Sequence, residues 1–190
     1  MFIQTESTPN PETLKFLPGE PVSPTGPREF RIGQDCSDAP LAGALFAIDG
    51  ISRVFFGADF LTVTKSGPEH DWKHLKAPIL AAIMDHLSAA QPLYLTNPVA
   101  EPERSDAYDP ETAQIVEEIK SLLDTRIRPA VAQDGGDIVF DRFDPVAGVV
   151  YLHMRGACAG CPSSSATLKS GVENMLRHYV PEVNRVEQTL

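Results

Sequence analysis

The sequence predicts an α+β fold made of two small α/β-sandwich-like domains joined by a proline-rich acidic linker. Helical repeats of apolar residues alternate with short strand-like runs in both halves of the 190-residue chain. Between the halves, residues 91–111 carry four prolines, five acids and one base, with almost no large apolar residue after Leu95. That composition is typical of a solvated linker. We therefore predict domains at residues 1–90 and 112–190, with the linker at residues 91–111.

The first domain begins with two predicted strands. Residues 2–6 alternate weakly between apolar and polar, and the run Thr8-Pro9-Asn10-Pro11 predicts a turn after them. Each proline fixes its own φ and disfavours the helical region for the residue before it. Leu14-Lys15-Phe16-Leu17 predicts the second strand, and the prolines at positions 18, 21, 24 and 27 predict an irregular loop beyond it.

A helix, a β-hairpin and a longer helix complete the first domain. The first helix has three apolar residues on one face and a glycine just after its end: Leu41, Leu45, Ile48 and Gly50. Residues 51–56 and 60–65 predict a hairpin around Gly57-Ala58-Asp59. Between residues 71 and 90 an apolar residue recurs at every fourth position. This predicts an amphipathic helix that starts near Pro78 or is kinked there.

The second domain is predicted to have the order α-β-β-α-β, with a three-stranded sheet and two helices. An apolar stripe from Ile115 to Val131 predicts the first helix, with a bend at Pro129. The run Asp134-Gly135-Gly136-Asp137 ends it, because glycine adopts the left-handed conformation that other residues resist. The remaining elements are strands at residues 138–140 and 149–152, a helix at about residues 163–180 and a strand at residues 183–190.

Composition and charge exclude two classes of partner. The formal net charge is −10 and the sequence pI is about 4.9, whereas nucleic-acid-binding proteins present a basic face. No apolar run approaches the roughly 18 residues of a membrane span. The first residues, Met1-Phe2-Ile3-Gln4-Thr5-Glu6, lack the pattern of a signal or transit peptide. We therefore predict a cytoplasmic protein that binds neither nucleic acid nor membrane.

The three cysteines do not form a disulfide framework of the secreted type, which needs an even number at wider spacings. Cys36 is predicted to be a small buried hydrophobe. Cys158 and Cys161 lie in the run Gly156-Ala157-Cys158-Ala159-Gly160-Cys161-Pro162-Ser163-Ser164-Ser165, after a predicted strand and before a predicted helix. Their spacing lets both sulfurs point to one metal centre or to each other. We expect a small, exposed loop in which the positive end of the helix favours thiolates.

Three kinds of site are compatible with this pair. A thioredoxin-like dithiol is disfavoured, because only 29 residues follow Cys161 and the preceding order is not a βαβ unit. A structural zinc site needs four ligands from one chain. The additional candidates near the pair are His153, in a strand, and His178, far along a helix. In the third kind, two chains each provide one Cys-x-x-Cys and together supply the four thiolates of a [4Fe–4S] cluster. The number of ligands favours this third kind.

These motifs resemble those of the NifU/Nfu family. In the second domain the resemblance lies in three runs: Leu123-Asp124-Thr125-Arg126-Ile127-Arg128-Pro129, Asp134-Gly135-Gly136-Asp137 and Gly156-Ala157-Cys158-Ala159-Gly160-Cys161-Pro162-Ser163-Ser164. Residues 1–87 resemble the N-terminal domain of Nfu proteins of α-proteobacterial and mitochondrial type. The runs that carry this second resemblance are Met1-Phe2-Ile3-Gln4-Thr5, Thr8-Pro9-Asn10-Pro11, Leu14-Lys15-Phe16 and Val54-Phe55-Phe56-Gly57-Ala58-Asp59-Phe60.

The resemblance implies an iron–sulfur cluster scaffold or carrier rather than an enzyme, with no catalytic residue. In the family the two cysteines of the motif, here Cys158 and Cys161, bind the iron of a [4Fe–4S] cluster held between two subunits. A homodimer is then expected on cluster binding, with upstream cluster donors and apo iron–sulfur client proteins as partners. The first domain is expected to recognise those partners. The alternative hypothesis is a thiol–disulfide redox protein that uses the same cysteine pair.

Overall fold

The computed structural model describes residues 2–95, 108–159 and 162–189, with the backbone alone at residues 162–165. The chain divides into two compact units, Met1–Ala100 and Glu101–Leu190. The predicted linker falls largely on residues 96–107, which lie outside the described residues. No helix in the described ranges is long and apolar enough to cross a membrane.

The fold is α+β, as the sequence predicts, and it contains two separate sheets. In chain order the elements are β1 (Gln4–Ser7), β2 (Thr13–Leu17), β3 (Arg28–Arg31), α1 (Pro40–Phe46), β4 (Ile51–Phe56), β5 (Leu61–Lys65), α2 (Trp72–Ser88), α3 (Pro110–Leu122), a π-helical segment (Leu123–Ile127), α4 (Arg128–Gln133), β6 (Gly136–Asp144), β7 (Val149–Gly156), α5 (Pro162–Tyr179) and β8 (Arg185–Thr189).

The first unit is a five-stranded antiparallel sheet in the order β1-β2-β5-β4-β3, with α1 and α2 packed on it. Alternate strand residues such as Phe16 and Phe56 are fully buried, and they share one core with Leu45 and Ile79 of the helices. The alternation follows from the two-residue period of a strand, which sends every second side chain to the same face. The unit therefore has a hydrophobic core of its own.

Most predicted elements of the first unit are confirmed, and β3 was missed. The hairpin of β4 and β5 forms as predicted. Helix α2 begins at Trp72, with Asp71 accepting the Lys73 amide at its N-terminus, and Pro78 lies inside it. In β3, Phe30 is the single apolar residue, so no alternation could reveal the strand. Its pairing with β4 is a long-range contact that the local sequence does not encode.

The second unit has the predicted order, with a three-stranded sheet β6-β7-β8. Strands β6 and β7 are antiparallel, and β8 returns parallel to β7 after α5. Both β6 and β7 are longer than predicted, because charged residues and a bulge between Phe140 and Arg142 interrupt the apolar pattern. The first helix is a run of α3, the π segment and α4 rather than one bent helix.

Two side chains of α5 attach this helix to β8. Lys169 Nζ donates to Glu187 Oε2 at 2.8 Å, and Glu173 Oε2 accepts from the Val186 amide at 2.9 Å. Val172 and Leu176 bury the apolar stripe of the helix in the core of the unit. These contacts hold α5 against β8 and the core of the second unit.

Candidate functional site

The cysteine segment lies where the sequence predicts, between a strand and a helix. Strand β7 ends at Gly156, and α5 begins at Pro162, a residue type that suits the first position of a helix. Residues 160–161 lie outside the described residues, so the prediction for Cys161 stays a prediction. Cys158 is therefore the residue of the pair whose environment can be described.

A glycine turn supports the loop that contains Cys158. Gly135 has φ of 82°, which confirms the predicted left-handed conformation at the end of α4. Its amide donates to the Ala132 carbonyl at 3.1 Å, and its carbonyl accepts from the Ala157 amide at 3.0 Å. Gly136 then opens β6 directly opposite Gly156 of β7. The turn and the cysteine loop are thus joined through the backbone.

The Cys158 side chain occupies the space that the missing side chain of Gly136 leaves. A Cβ atom at position 136 would overlap the Cys158 sulfur, and it would lie 2.9 Å from the Arg155 carbonyl oxygen and 3.0 Å from the Cys158 amide nitrogen. Cys158 is 5% exposed and belongs to the hydrophobic core of the second unit. Glycine at position 136 is therefore what allows the sulfur to reach this buried position.

The buried thiol is protonated at neutral pH. Burial is the main cause that raises the pKa of Cys158 to about 12, and the charges of Asp134 and Asp137 act in the same direction. The expectation of an exposed loop that favours thiolates is therefore wrong for Cys158. That expectation considered the nearby helix end alone, whereas burial of the thiol, followed by the charges of two carboxylates, raises its pKa.

Arg128 binds one of these carboxylates. Its Nε donates to Asp137 Oδ1 at 2.8 Å and its Nη2 donates to Asp137 Oδ2 at 3.1 Å, a two-point pairing. Its Nη1 also donates to Asp124 Oδ1 at 2.9 Å. Hydrogen bonding to Asp137 is the main cause that raises the pKa of Arg128, so the guanidinium stays charged. The buried carboxylate of Asp137 is thereby paired.

From the sequence we predict no contact for Arg128 or Asp137, although both lie in the runs Leu123–Pro129 and Asp134–Asp137 that carry the family resemblance. A pairing of this kind could have been predicted from the sequence, because two arginines in a predicted helix precede a Gly-Gly turn that has an aspartate on each side. Arg126, two positions earlier, differs from Arg128 in the structure. Its Nη1 donates to the exposed Tyr179 hydroxyl at 3.0 Å, and its guanidinium stacks on the Tyr179 ring. Only one of the two arginines therefore contacts the turn beneath Cys158.

The two histidines that were candidate zinc ligands have other neighbours in the structure. His153 lies in β7 opposite Val139, and His178 contacts Tyr179 edge-on with ring centroids 4.8 Å apart. Across residues 2–95, 108–159 and 162–189, no group of three or more histidine, cysteine and acidic side chains could hold a metal ion. The donor that the described site offers is the sulfur of Cys158, which is a soft ligand once it is deprotonated.

Cys36, the third cysteine, is remote in sequence from this site and belongs to the first unit. It is half-buried rather than buried, and its sulfur donates to the Gln34 carbonyl at 3.4 Å. Burial raises the pKa of its thiol, and Asp35 and Asp38 add to the effect. Cys36 is therefore a matched control for thiol chemistry at Cys158.

Comparison with known families gives two matches that lie one in each half of the chain. Residues 3–90 match the family described as "Scaffold protein Nfu/NifU N terminal". Residues 119–187 match the family described as "NifU-like domain", and this range includes positions 158 and 161.

Curated relatives are similar over essentially the whole chain. The chain is 54% identical over 188 residues to NifU-like protein 4, mitochondrial, of Arabidopsis thaliana, covering 99% of this chain and 66% of that protein. It is 47% identical over 190 residues to the NFU1 iron-sulfur cluster scaffold homolog, mitochondrial, of Homo sapiens. This similarity covers 100% of this chain and 72% of that protein. The chain thus spans about two thirds of the length of these relatives.

Among solved structures, the solution NMR structure of a NifU-like protein from Saccharomyces cerevisiae is similar to this chain. The two are 22% identical with a TM-score of 0.46, and the similarity covers 50% of this chain and 85% of that one.

The predicted cytoplasmic location is wrong by these comparisons, because the relatives from Arabidopsis thaliana and Homo sapiens are named mitochondrial. The prediction depended on the absence of a recognisable targeting pattern at residues 1–6. Since the relatives are longer than this chain, that absence could not support the conclusion.

We expect Gly136→Ala to destabilise the second unit by about 1–3 kcal/mol, the usual cost of forcing extra atoms into a packed interior. Gly171→Ala is the matched control, because a Cβ there meets nothing within 4 Å. It should stabilise the helix by about 0.5–1 kcal/mol, since alanine loses less conformational entropy on folding.

Urea unfolding followed by circular dichroism measures the free energy of unfolding of both variants. The single tryptophan, Trp72, reports the first unit, and its fluorescence transition should stay unchanged. Equal effects of the two substitutions would contradict the role of Gly136.

We expect Arg128→Gln to destabilise the second unit by about 2–3 kcal/mol, because the substitution leaves the buried Asp137 carboxylate unpaired. Arg126→Gln removes an arginine two positions away that contacts an exposed tyrosine, and it should cost about 1 kcal/mol or less. The same urea titrations compare the two variants. If both lose the same stability, Arg128 has no special part in fixing the turn.

Proposed function

The chain belongs to the Nfu/NifU family, and from this membership we propose that it is an iron–sulfur cluster scaffold and carrier. In this proposal Cys158 and Cys161 of two copies hold one [4Fe–4S] cluster, which is then transferred to apo-proteins. The observation that carries the proposal is that the NifU-like match, residues 119–187, includes both cysteine positions. The relative from Homo sapiens, which is named an iron-sulfur cluster scaffold homolog, supports the same role.

The number of ligands supports a cluster shared between copies. A [4Fe–4S] cluster is bound by four thiolates, and one chain has two cysteines in the loop. The described residues add no group of three potential metal-binding side chains. A second copy of the same loop completes the set with the same residue type.

Cluster binding through Cys158 requires two changes at this residue. The sulfur must leave the space above Gly136, and the thiol must lose its proton, because the thiolate is the form that binds metal. Binding also adds negative charge beside Asp134 and Asp137. Arg128 offsets the second of these carboxylates through its two-point contact. The cluster therefore binds to a loop that has rearranged locally around Cys158.

Transfer is then an exchange of ligands and needs no catalytic residue. Thiolates of a recipient protein replace those of one copy while the other copy still holds the cluster. The redox alternative requires a reactive thiolate, with a pKa near the ambient pH. The burial of Cys158 and its raised pKa oppose that role for Cys158 in its described position.

We expect anaerobic incubation with ferric iron, sulfide and a thiol reductant to give a brown dimer that contains about four iron atoms. Cys158→Ala and Cys161→Ala should each abolish the colour and the iron, because either change removes two of the four thiolates of the dimer. Iron and sulfide analysis, visible absorption and size-exclusion chromatography measure the three properties together.

Cys36→Ala is the control for that experiment and should bind the same amount of iron, since Cys36 belongs to the first unit. A colourless monomer that instead reduces a model disulfide would refute the cluster proposal and favour the redox hypothesis.

The first unit is proposed to select partners. Residues 3–90 match the N-terminal family of Nfu/NifU scaffold proteins. The described residues of this unit contain no group of three or more histidine, cysteine and acidic side chains that could hold a metal ion. Its own five-stranded sheet and core make it a separate folding unit. A recognition module of this kind would bring the cluster-bearing unit to particular clients.

We expect a chain that begins at residue 108 to bind the cluster as the full chain does but to deliver it more slowly to at least one client. Reactivation of a panel of apo iron–sulfur proteins, at equal cluster concentration, measures the difference. Equal delivery to every client would exclude partner selection by the first unit.

A further inference from the structure

Asp134 is an exposed residue at the base of the loop that contains Cys158. It caps the C-terminal end of α4, and Gly135 follows it. The Gly135 carbonyl accepts from the Ala157 amide at 3.0 Å. A backbone hydrogen bond thus joins the residue after Asp134 to the residue before Cys158. A rearrangement confined to the Cys158 side chain leaves this bond in place and keeps Asp134 next to the loop.

The charges that act on the Cys158 sulfur are both negative. After burial, Asp134 and then Asp137 raise the pKa of the thiol. The two carboxylates differ in their partners, because Arg128 binds Asp137 at two points. In the described part of the chain no lysine, arginine or histidine forms an ion pair with Asp134. Asp134 is therefore the uncompensated charge beside the loop.

A cluster bound by four thiolates is anionic, because the thiolates outweigh the positive charge of its iron–sulfur core. Two chains that share one cluster bring two copies of Asp134 to it. Like charges repel, and at low salt this repulsion acts over a Debye length of about 10 Å. The repulsion opposes binding of the cluster and favours its release.

We propose that the Asp134 carboxylate weakens the hold of the cysteine loop on the cluster and thereby promotes release of the cluster to recipient thiolates. This role rests on the proposed cluster-binding function. Asp134 is not a ligand, and it acts through its charge on the thiolates of Cys158 and Cys161.

The exchange of ligands is balanced without an oxidant or reductant. Each iron–sulfur bond to Cys158 or Cys161 is replaced by a bond from iron to a thiolate of the recipient. The recipient thiols give up their protons, and the released cysteines take protons up. No electron is transferred.

Asp134→Asn tests the charge, because it keeps the size of the side chain and removes the carboxylate. The full-length chain is reconstituted, and loss of the visible absorption of the cluster is followed in excess 2,2′-bipyridine. This chelator is neutral, so Asp134 does not attract or repel it. At about 0.05 M salt the variant should release iron about fivefold more slowly, the effect of removing one exposed repulsion from each of two chains. At about 1 M salt, screening should remove most of the difference.

Two further variants are controls. Asp134→Glu keeps the charge and should release iron at the rate of the unsubstituted chain. Glu182→Gln removes one exposed carboxylate at the other end of β7, where the Glu182 carbonyl lies beside Gly148. The eight residues of β7 span roughly 25 Å between that end and the cysteine loop. Glu182→Gln should therefore leave the rate of release unchanged.

The reduction potential of the bound cluster is a second measurement, because the net charge near a cluster helps to set it. Reduction adds negative charge, so removing a neighbouring carboxylate stabilises the reduced state. Asp134→Asn should therefore raise the potential, whereas Asp134→Glu and Glu182→Gln should not. A merely structural role of Asp134 would not produce this pattern.

Unchanged release in Asp134→Asn at low salt would overturn the role of Asp134, as would equal slowing in Glu182→Gln. Faster release would also overturn it, because a loosened turn releases the cluster sooner. Asp134→Ser removes the same charge and decides the matter if Asp134→Asn does not reconstitute. An unsubstituted chain that binds no iron would refute the proposed function, whereas a normal cluster with equal release in all variants would refute the role of Asp134 alone.

Discussion

The contact between the Cys158 sulfur and the backbone of Gly136 is the constraint on which the site of the second unit depends. It brings together the turn before β6 and the loop after β7, which are already paired through Gly136 and Gly156. The contact lets the thiol enter the core of the second unit, where burial is the main cause that raises its pKa to about 12. Position and protonation state are therefore linked. Only glycine allows such an approach, at an entropic cost of about 0.5–1 kcal/mol relative to alanine.

Charge is the second constraint, because the turn beneath Cys158 is acidic. Asp137 is almost fully buried, and a buried carboxylate needs a partner. Arg128 provides it with two parallel hydrogen bonds. The π-helical segment Leu123–Ile127 helps to explain this geometry, since its wider turn shifts the phase of α4 relative to α3. Arg126 and Arg128, two positions apart in sequence, then contact different partners. Arg126 contacts Tyr179, and Arg128 contacts Asp137.

The helices and the hairpin of β4 and β5 could be predicted from sequence, because their apolar spacing is a local property. Strand β3 could not, since its one buried residue, Phe30, gives no alternation and its pairing with β4 comes from the tertiary structure. The same distinction applies to the site. The place of Cys158 between a strand and a helix follows from neighbouring residues. Its burial follows from Gly136, which is distant in sequence, and the helix-end argument for a thiolate could not include that contact.

The burial of Cys158 is compatible with a scaffold because a scaffold must release what it binds. On the proposed function, displacing the sulfur from Gly136 and removing its proton both oppose cluster binding, so they reduce the net affinity of the loop. A site with maximal affinity would retain the cluster against the thiolates of a recipient. The same burial protects the thiol from oxidation in the chain without a cluster, since oxidation requires an accessible thiolate. On the proposed function, one close contact thus accounts both for protection of the Cys158 thiol and for the reversibility that transfer would require.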